Sequence, residues 1–226
     1  MPGRRAPQPG SQPDGGHVDG LAEALASFPT GVTLVMVADG RDDIGTTVSA
    51  FCPVSQSPPL VLVSLIAGSY PAEVLGRVDR FAVTLLAAGQ RALAGRFAAA
   101  GRPGARLLLE GVPYQRGAAS GALIPDGGMA ALECEAVQRV PAGDHVLVIA
   151  SVLRVAYVAE SGDPLIRFAG RYPGLRQPVP SRISAVAPPH RAPAPERRGP
   201  GTELHRRRLS CGLPVENPGQ QGDNSS

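Results

Sequence analysis

The sequence predicts a mainly β domain, an antiparallel barrel carrying short helices. Three observations lead there. About seven runs of β-branched and apolar residues have the length of strands. The helical patterns among them are few and short, so the regular strand–helix alternation of a doubly wound parallel sheet is missing. Hydrophobic residues make up 43% of the 226, enough to build a real core. No internal repeat is visible.

The elements follow in order. Leu21 to Phe28 places apolar residues at 21, 25 and 28, the pattern of a short amphipathic helix. GVTLVMVA from Gly31 to Ala38 reads as a strand, Ile44 to Phe51 as a second and Leu60 to Ala67 as a third. Pro58-Pro59 stiffens the turn before that third strand and bars helix there. Pro71 sits in the first turn of a helix expected to run to Val78. Phe81 to Ala87 is the next strand. Leu93 and Phe97, four apart, mark one face of a helix over Gln90–Ala99. Residues 101–126 read mostly as loop with short extended pieces. Met129–Val140, Val146–Val158 and Pro164–Phe168 complete the strands, and Glu133 and Glu135 alternate with apolar neighbours as on a solvated strand face.

This domain is expected over residues 20–176. Residues 1–19 and 177–226 are Pro-, Gly- and polar-rich, and are expected to be disordered. The second segment holds nine prolines and no aromatic residue, so burial cannot offset its chain entropy. Its Arg206–Arg208 run reads as a solvated tail or as a contact for an acidic partner.

Charge and cysteine content narrow the function classes. All 22 basic residues are arginines, a bias of the coding sequence more than of phosphate binding. Residues 21–176 hold thirteen arginines and thirteen acids, so the domain has no basic surplus for nucleic acid. No apolar run approaches the ~18 residues of a membrane helix. MPGRRAPQPGSQPDGG has no apolar segment behind its arginines, so no secretory leader is expected. Cys52, Cys134 and Cys211 are odd in number and far apart, which fits no metal motif or disulfide framework and suits a cytoplasmic protein.

The densest chemistry lies in GTTVSAFCPVSQSPPLVLVSL, residues 45–65. Thr46, Thr47 and Ser49 are either hydroxyls of a hairpin facing water or an anion cradle. Hydroxyls and free N–H groups at a strand end bind phosphate through charge-assisted hydrogen bonds, and Gly45 allows close backbone approach. Neither a P-loop nor a GxGxxG fingerprint is present.

The stretch resembles the flavin reductase-like family, the FMN-binding split barrel of short-chain NAD(P)H:flavin oxidoreductases. Family members typically run G-M-T-A-S-S-F-T-S-V-S-x-D-P-P-L-V where this chain has G-T-T-V-S-A-F-C-P-V-S-Q-S-P-P-L-V at 45–61. Phe28 to Thr33 resembles F-x-T-G-V-T, Phe81 to Leu86 resembles F-A-V-N-V-L, and Arg96-Phe97-Ala98 resembles R-F-A. Leu132-Glu133-Cys134 (L-E-C), Gly143-Asp144-His145 (G-D-H) and Phe168 to Tyr172 (F-x-G-R-Y) follow in the same order. The resemblance covers about residues 21–175.

It implies an NAD(P)H-dependent reductase of FMN or FAD that is a homodimer and supplies reduced flavin to a separate monooxygenase. The alternative is a flavin carrier or bound-flavin oxidase of the same fold. In either case the cofactor carries the hydride chemistry and the protein supplies positioning, so no metal site is required. Hydride transfer needs nicotinamide C4 within about 3–3.5 Å of flavin N5. The implied flavin site is Thr46, Thr47, Val48, Ser49 and Ala50, joined by Ser64, Leu65 and Ile66, with Ser69 and Phe97. His145 and the Gly170-Arg171-Tyr172 block would lie on the nicotinamide side. His145 reads either as a loop residue bonding nearby backbone or as the group that orients the nicotinamide or protonates reduced flavin. Arg171 reads either as a pyrophosphate partner or as half of a structural ion pair. Cys52 and Cys134 read as small buried thiols of strands. Ala50, Pro53, Ser57 and Thr84 depart from the family's residues, which suits loosely held flavin.

Overall fold

A computed structural model describes residues 18–40 and 42–175. The expectations for residues 1–17 and for the tail from Gln177, Cys211 included, lie outside the described residues. Among these, no helix is long and apolar enough to cross a membrane.

The chain opens with helix α1 (Leu21–Ala26) and strands β1 (Thr30–Gly31), β2 (Thr33–Ala38), β3 (Asp43–Val48), β4 (Phe51–Gln56) and β5 (Pro59–Ile66). Helix α2 (Tyr70–Arg77), strand β6 (Arg80–Leu85) and helices α3 (Arg91–Ala98) and α4 (Ala105–Leu108) follow. The remaining strands are β7 (Tyr114–Arg116), β8 (Leu123–Pro125), β9 (Ala130–Ala142), β10 (His145–Val158) and β11 (Ile166–Arg167).

Seven strands form one antiparallel sheet in the order β3-β2-β6-β9-β10-β5-β4. Its two edge strands, β3 and β4, are consecutive in the chain and separated only by Ser49 and Ala50. Two residues span no more than about 7 Å per step pair, so the sheet must curl until its edges nearly meet. The result is a barrel split along one seam; Ser64 N–H donates to Ala50 O at 2.9 Å, which carries the β5–β4 ladder into the link between the two edges. Such curling follows the right-handed twist of strands, reinforced here by register shifts between β9 and β10.

Alternation along the strands sorts two cores. Val35 and Val37 of β2, Ile44 and Val48 of β3, Val61, Val63 and Leu65 of β5 and Phe81 and Val83 of β6 fill the barrel interior. Cys134, Val148 and Ala150 complete it, and α2 closes it with Ala72, Val74 and Leu75. The opposite face of β2 and β6, with Leu34, Met36 and Ala82, packs under Leu93, Ala94 and Phe97 of α3 and Leu109 and Leu123. Both faces of these strands are therefore buried, which is why GVTLVMVA is continuously apolar.

Four expectations change. Residues 44–51 are not one strand: the chain leaves β3 at Val48 and Phe51 starts β4. FCPVSQ lacks strand alternation, but as an edge strand it pairs only with β5, and Pro53 sits at a register shift where a missing N–H is tolerated. Pro164–Phe168 shrinks to β11, which pairs with β1 outside the large sheet. The 101–126 segment gains the short helix α4, while its extended pieces pair as the β7–β8 hairpin. Cys52 is exposed, whereas Cys134 is buried and its thiol is pushed up to about 12 by desolvation and then by Glu133.

Glu133 is the largest correction: it is fully buried instead of solvated. Its Oε2 accepts from Ala119 N–H (2.8 Å), Ser120 N–H (2.7 Å) and Ser120 Oγ (2.9 Å), and Oε1 from Arg154 at 3.4 Å. Gly117 has no Cβ to occupy the space this carboxylate takes. Burial pushes the carboxyl upward, but the donors from Ser120 and Ala119 outweigh it and the net shift is downward. The strand's alternation is real, but the second face meets the 117–120 turn instead of water.

Candidate active site

The split between β3 and β4 opens into a cleft of about 730 Å3, a volume typical of small-molecule sites. One wall is the free edge of β3. This strand pairs only with β2, so alternate backbone N–H and C=O groups along Gly45–Val48 have no strand partner on the cleft side. The facing wall is the end of β5, Ser64–Ile66, continued by Ser69 at the start of α2. His145 stands at the start of β10, in register opposite Ile66, and Ala67 N–H donates to Asp144 O at 2.9 Å.

The hydroxyls divide into two kinds. Thr47 Oγ1 donates to Ala94 O of α3 at 2.7 Å and so fastens β3 to the outer core. Ser69 Oγ caps α2, accepting from Ala72 N–H at 3.4 Å. The hydroxyls of Thr46, Ser49 and Ser64 line the cleft and have no hydrogen bond among the described residues. These three and the β3 edge are open to a polar ligand.

The Asp144 carboxylate can only accept, so His145 Nδ1 donates to its Oδ1 at 2.7 Å. That bond, followed by the charge of a protonated imidazole, lowers the Asp144 pKa. Nε2 of His145 is left for the cleft. Asp43, at the far end of β3, is 3% exposed and held by Arg106 Nε (2.7 Å) and by Arg116 Nη1 and Nη2 (2.9 and 3.0 Å). Burial raises its pKa, but the two guanidinium groups outweigh that and the net shift is downward.

The cleft thus brings together Thr46, Thr47, Val48, Ser49, Ala50, Ser64, Leu65, Ile66, Ser69 and His145. It does not bring in four expected members. Phe97 is fully buried against Gly45 in the outer core. Gly170 lines an adjoining groove of about 260 Å3, which shares Ser49 and Arg167 with the cleft. Arg171 is exposed in a tight turn with Phe168, and Tyr172 packs on the outer core under Arg91, 5.3 Å from its ring centre. Of the four departures, only Ala50 lines the cleft. Sequence reasoning missed Asp43 and Arg102. The turn signal Gly-Arg-Pro-Gly at 101–104 marks a rigid loop, but nothing local says which strand it meets.

A cavity of this size, an unpaired strand edge, three uncommitted hydroxyls and the Arg102 guanidinium, which pairs with no carboxylate among the described residues, fit a flavin nucleotide. No group of three or more metal-ligating side chains occurs among the described residues.

Comparison with known proteins gives a consistent picture. A family model described as flavin reductase like domain matches residues 25–176. An NADH-dependent FMN reductase of Streptomyces nodosus is 35% identical over 155 residues, 69% of this chain and 83% of that protein. The reductase component of 4-hydroxyphenylacetate 3-monooxygenase from Thermus thermophilus is 36% identical over 71% of this chain and 98% of its own. Among solved structures, an NADH:FAD oxidoreductase of Streptomyces globisporus, in complex with NAD and FAD fragments, superposes with a TM-score of 0.63. It is 31% identical and covers 71% of this chain and 92% of its own.

Proposed function

The chain belongs to the flavin reductase-like family, and from that premise we propose that it is an NADH-dependent reductase of FMN or FAD that supplies reduced flavin to a partner monooxygenase. The observation that carries this is the cleft at the barrel's seam, where an unpaired strand edge with the Thr46 and Ser49 hydroxyls faces Ser64 and a histidine across one cavity. Relatives named as NADH-dependent reductases and as monooxygenase reductase components support the nicotinamide and the partner.

The flavin, when bound, supplies the ring that takes hydride from the nicotinamide. Thr46, Ser49 and the β3 backbone would hold its polar edge, and Leu65 and Ile66 would exclude water from one side. His145 Nε2 would orient the nicotinamide amide or hold a proton at the flavin edge, with Asp144 fixing the ring through Nδ1. Ala50, in place of a hydroxyl, offers one donor fewer and favours release of the product.

The same reading makes the chain a cytoplasmic homodimer with its reductase domain over 20–176. The exposed Phe28, Val54, Ile66 and Val158 provide apolar surface for a second copy. The exposed free thiol of Cys52 suits a reducing compartment.

Aerobic NADH oxidation is expected to rise severalfold on adding free FMN or FAD. Flavin-dependent turnover with neither NADH nor NADPH would sink the reading, and flavin co-purifying one-to-one would point to a bound-flavin oxidase. His145→Ala is expected to lower kcat/KM for NADH by on the order of 100-fold while the flavin Kd moves less than about threefold. An unaltered rate removes His145 from the site.

A further inference from the structure

Arg102 has no place in the scheme above. It lines the cleft from the loop after α3, between Gly101, whose φ is +62°, and Pro103. Its Nε donates to Gly45 O at 2.9 Å and its Nη1 to Ala99 O at 3.1 Å. Both partners are neutral carbonyls. A guanidinium has five N–H donors, so the two on Nη2 and one on Nη1 find no acceptor among the described residues. No carboxylate pairs with it, and partial burial depresses its pKa.

The surroundings do not neutralise this charge. The other ionisable groups lining the cleft are Asp42, Asp43, Tyr70, His145 and Arg167. Asp43 is already shared by Arg106 and Arg116, so that cluster carries net positive charge. Asp42 is exposed and forms no ion pair with Arg102. From Gly45, which Arg102 grips, to Ala50 beside Ser64 the backbone spans at most ~16 Å. The Gly45 end of the cleft is therefore cationic, and the part near Ser64, Ile66 and His145 is hydroxyl-bearing and apolar; Arg167 lines the cleft where it meets the adjoining groove at Ser49. That polarity matches an elongated ligand with a flat ring at one end and an anionic group at the other.

We propose that Arg102 is the anion anchor of this cleft, receiving a phosphate group of the bound nucleotide on its free Nη2 edge. The inference rests on the reductase reading for its choice of ligand. The phosphate belongs either to the flavin or to the nicotinamide dinucleotide, since both present the same chemistry. Arginine suits the task because its planar fork bonds two phosphate oxygens at once while its Nε stays on Gly45 O. The two carbonyl bonds set the loop in place before the ligand arrives.

The test is equilibrium binding by fluorescence, which does not require turnover. Wild type, Arg102→Met and Arg102→Lys are titrated with riboflavin, which has no phosphate, and with FMN, FAD and NADH. Charge-assisted hydrogen bonds of this kind correspond to roughly 10- to 100-fold in affinity. The preference for FMN over riboflavin is expected to fall by that factor in Arg102→Met, with the greater part kept in Arg102→Lys. An unchanged flavin preference with a similar rise in the NADH Kd supports the anchor and assigns it to the nicotinamide dinucleotide. Riboflavin, FMN and NADH weakening in parallel would show a merely structural loop contact and overturn the proposal, as would no change in any ligand. Wild type that binds FMN through Arg102 yet oxidises no NADH would remove the reductase reading and leave the anchor standing.

Discussion

Gly45→Val is expected to lower stability by about 3 kcal/mol or more and to abolish flavin binding. A Cβ at residue 45 would stand 2.5 Å from the Met36 sulfur and 2.7 Å from Phe97 Cδ1, with Phe97 Cε1 nearer still. Both side chains are fully buried, so neither has space to retreat, and overpacking of this kind costs about 1–3 kcal/mol even for small additions. The flavin effect follows because β3 is the wall of the cleft, and pushing it off Phe97 displaces Thr46, Ser49 and the Gly45 carbonyl together. At roughly 2–4 °C per kcal/mol for a domain of this size, the melting temperature should drop by about 10 °C. Gly45→Ala should show a smaller drop, part of it recovered in the Gly45→Ala/Phe97→Leu double variant. A valine variant that melts with the wild type would mean the outer core is not rigid at this point.

Glu133→Leu is expected to be as damaging for the opposite reason. The carboxylate is the acceptor for three donors of Ala119 and Ser120, and removing it leaves buried N–H groups unpaired. Each such group costs about 1–3 kcal/mol, giving a loss of about 3–5 kcal/mol. Glu133→Gln, which keeps one oxygen, should lose less. The pH dependence has a definite sign. The carboxyl is held below its ordinary 4.5 in the folded state, so its contribution is fully present above that pH and is lost as the pH falls through the folded value. Asp43, held below 3.8 by Arg116 and Arg106, adds the same trend slightly lower. Thermal melting from pH 7 to pH 3 should therefore fall steeply below about 4.5 in wild type and less steeply in Glu133→Gln. Parallel curves for the two proteins would show that Glu133 titrates normally.

Much of the barrel was legible because its signals are local. Apolar, β-branched runs marked β2, β3, β5, β6, β9 and β10, and Pro71 and the Leu93–Phe97 spacing marked α2 and α3. FCPVSQ carried no such signal, since an edge strand with Pro53 is held by its neighbour β5 and not by its own pattern. The cleft was legible in part. Residues 46–50, 64–66, Ser69 and His145 line one cavity. Phe97 does not, because α3 turns its ring onto Gly45 in the outer core.

The sequence by itself determined the fold class, the family and the hydroxyl-rich stretch at the seam, because strand periodicity and the ordered blocks are written along the chain. Only the tertiary structure decided that Ser49 and Ala50 join the two edges of one sheet, that Glu133 is buried under the 117–120 turn, and that Arg102 faces the cleft without a counter-ion. Those are facts of proximity between residues 13 to 57 positions apart. Burial and charge balance are properties of such neighbours, and no local pattern encodes them.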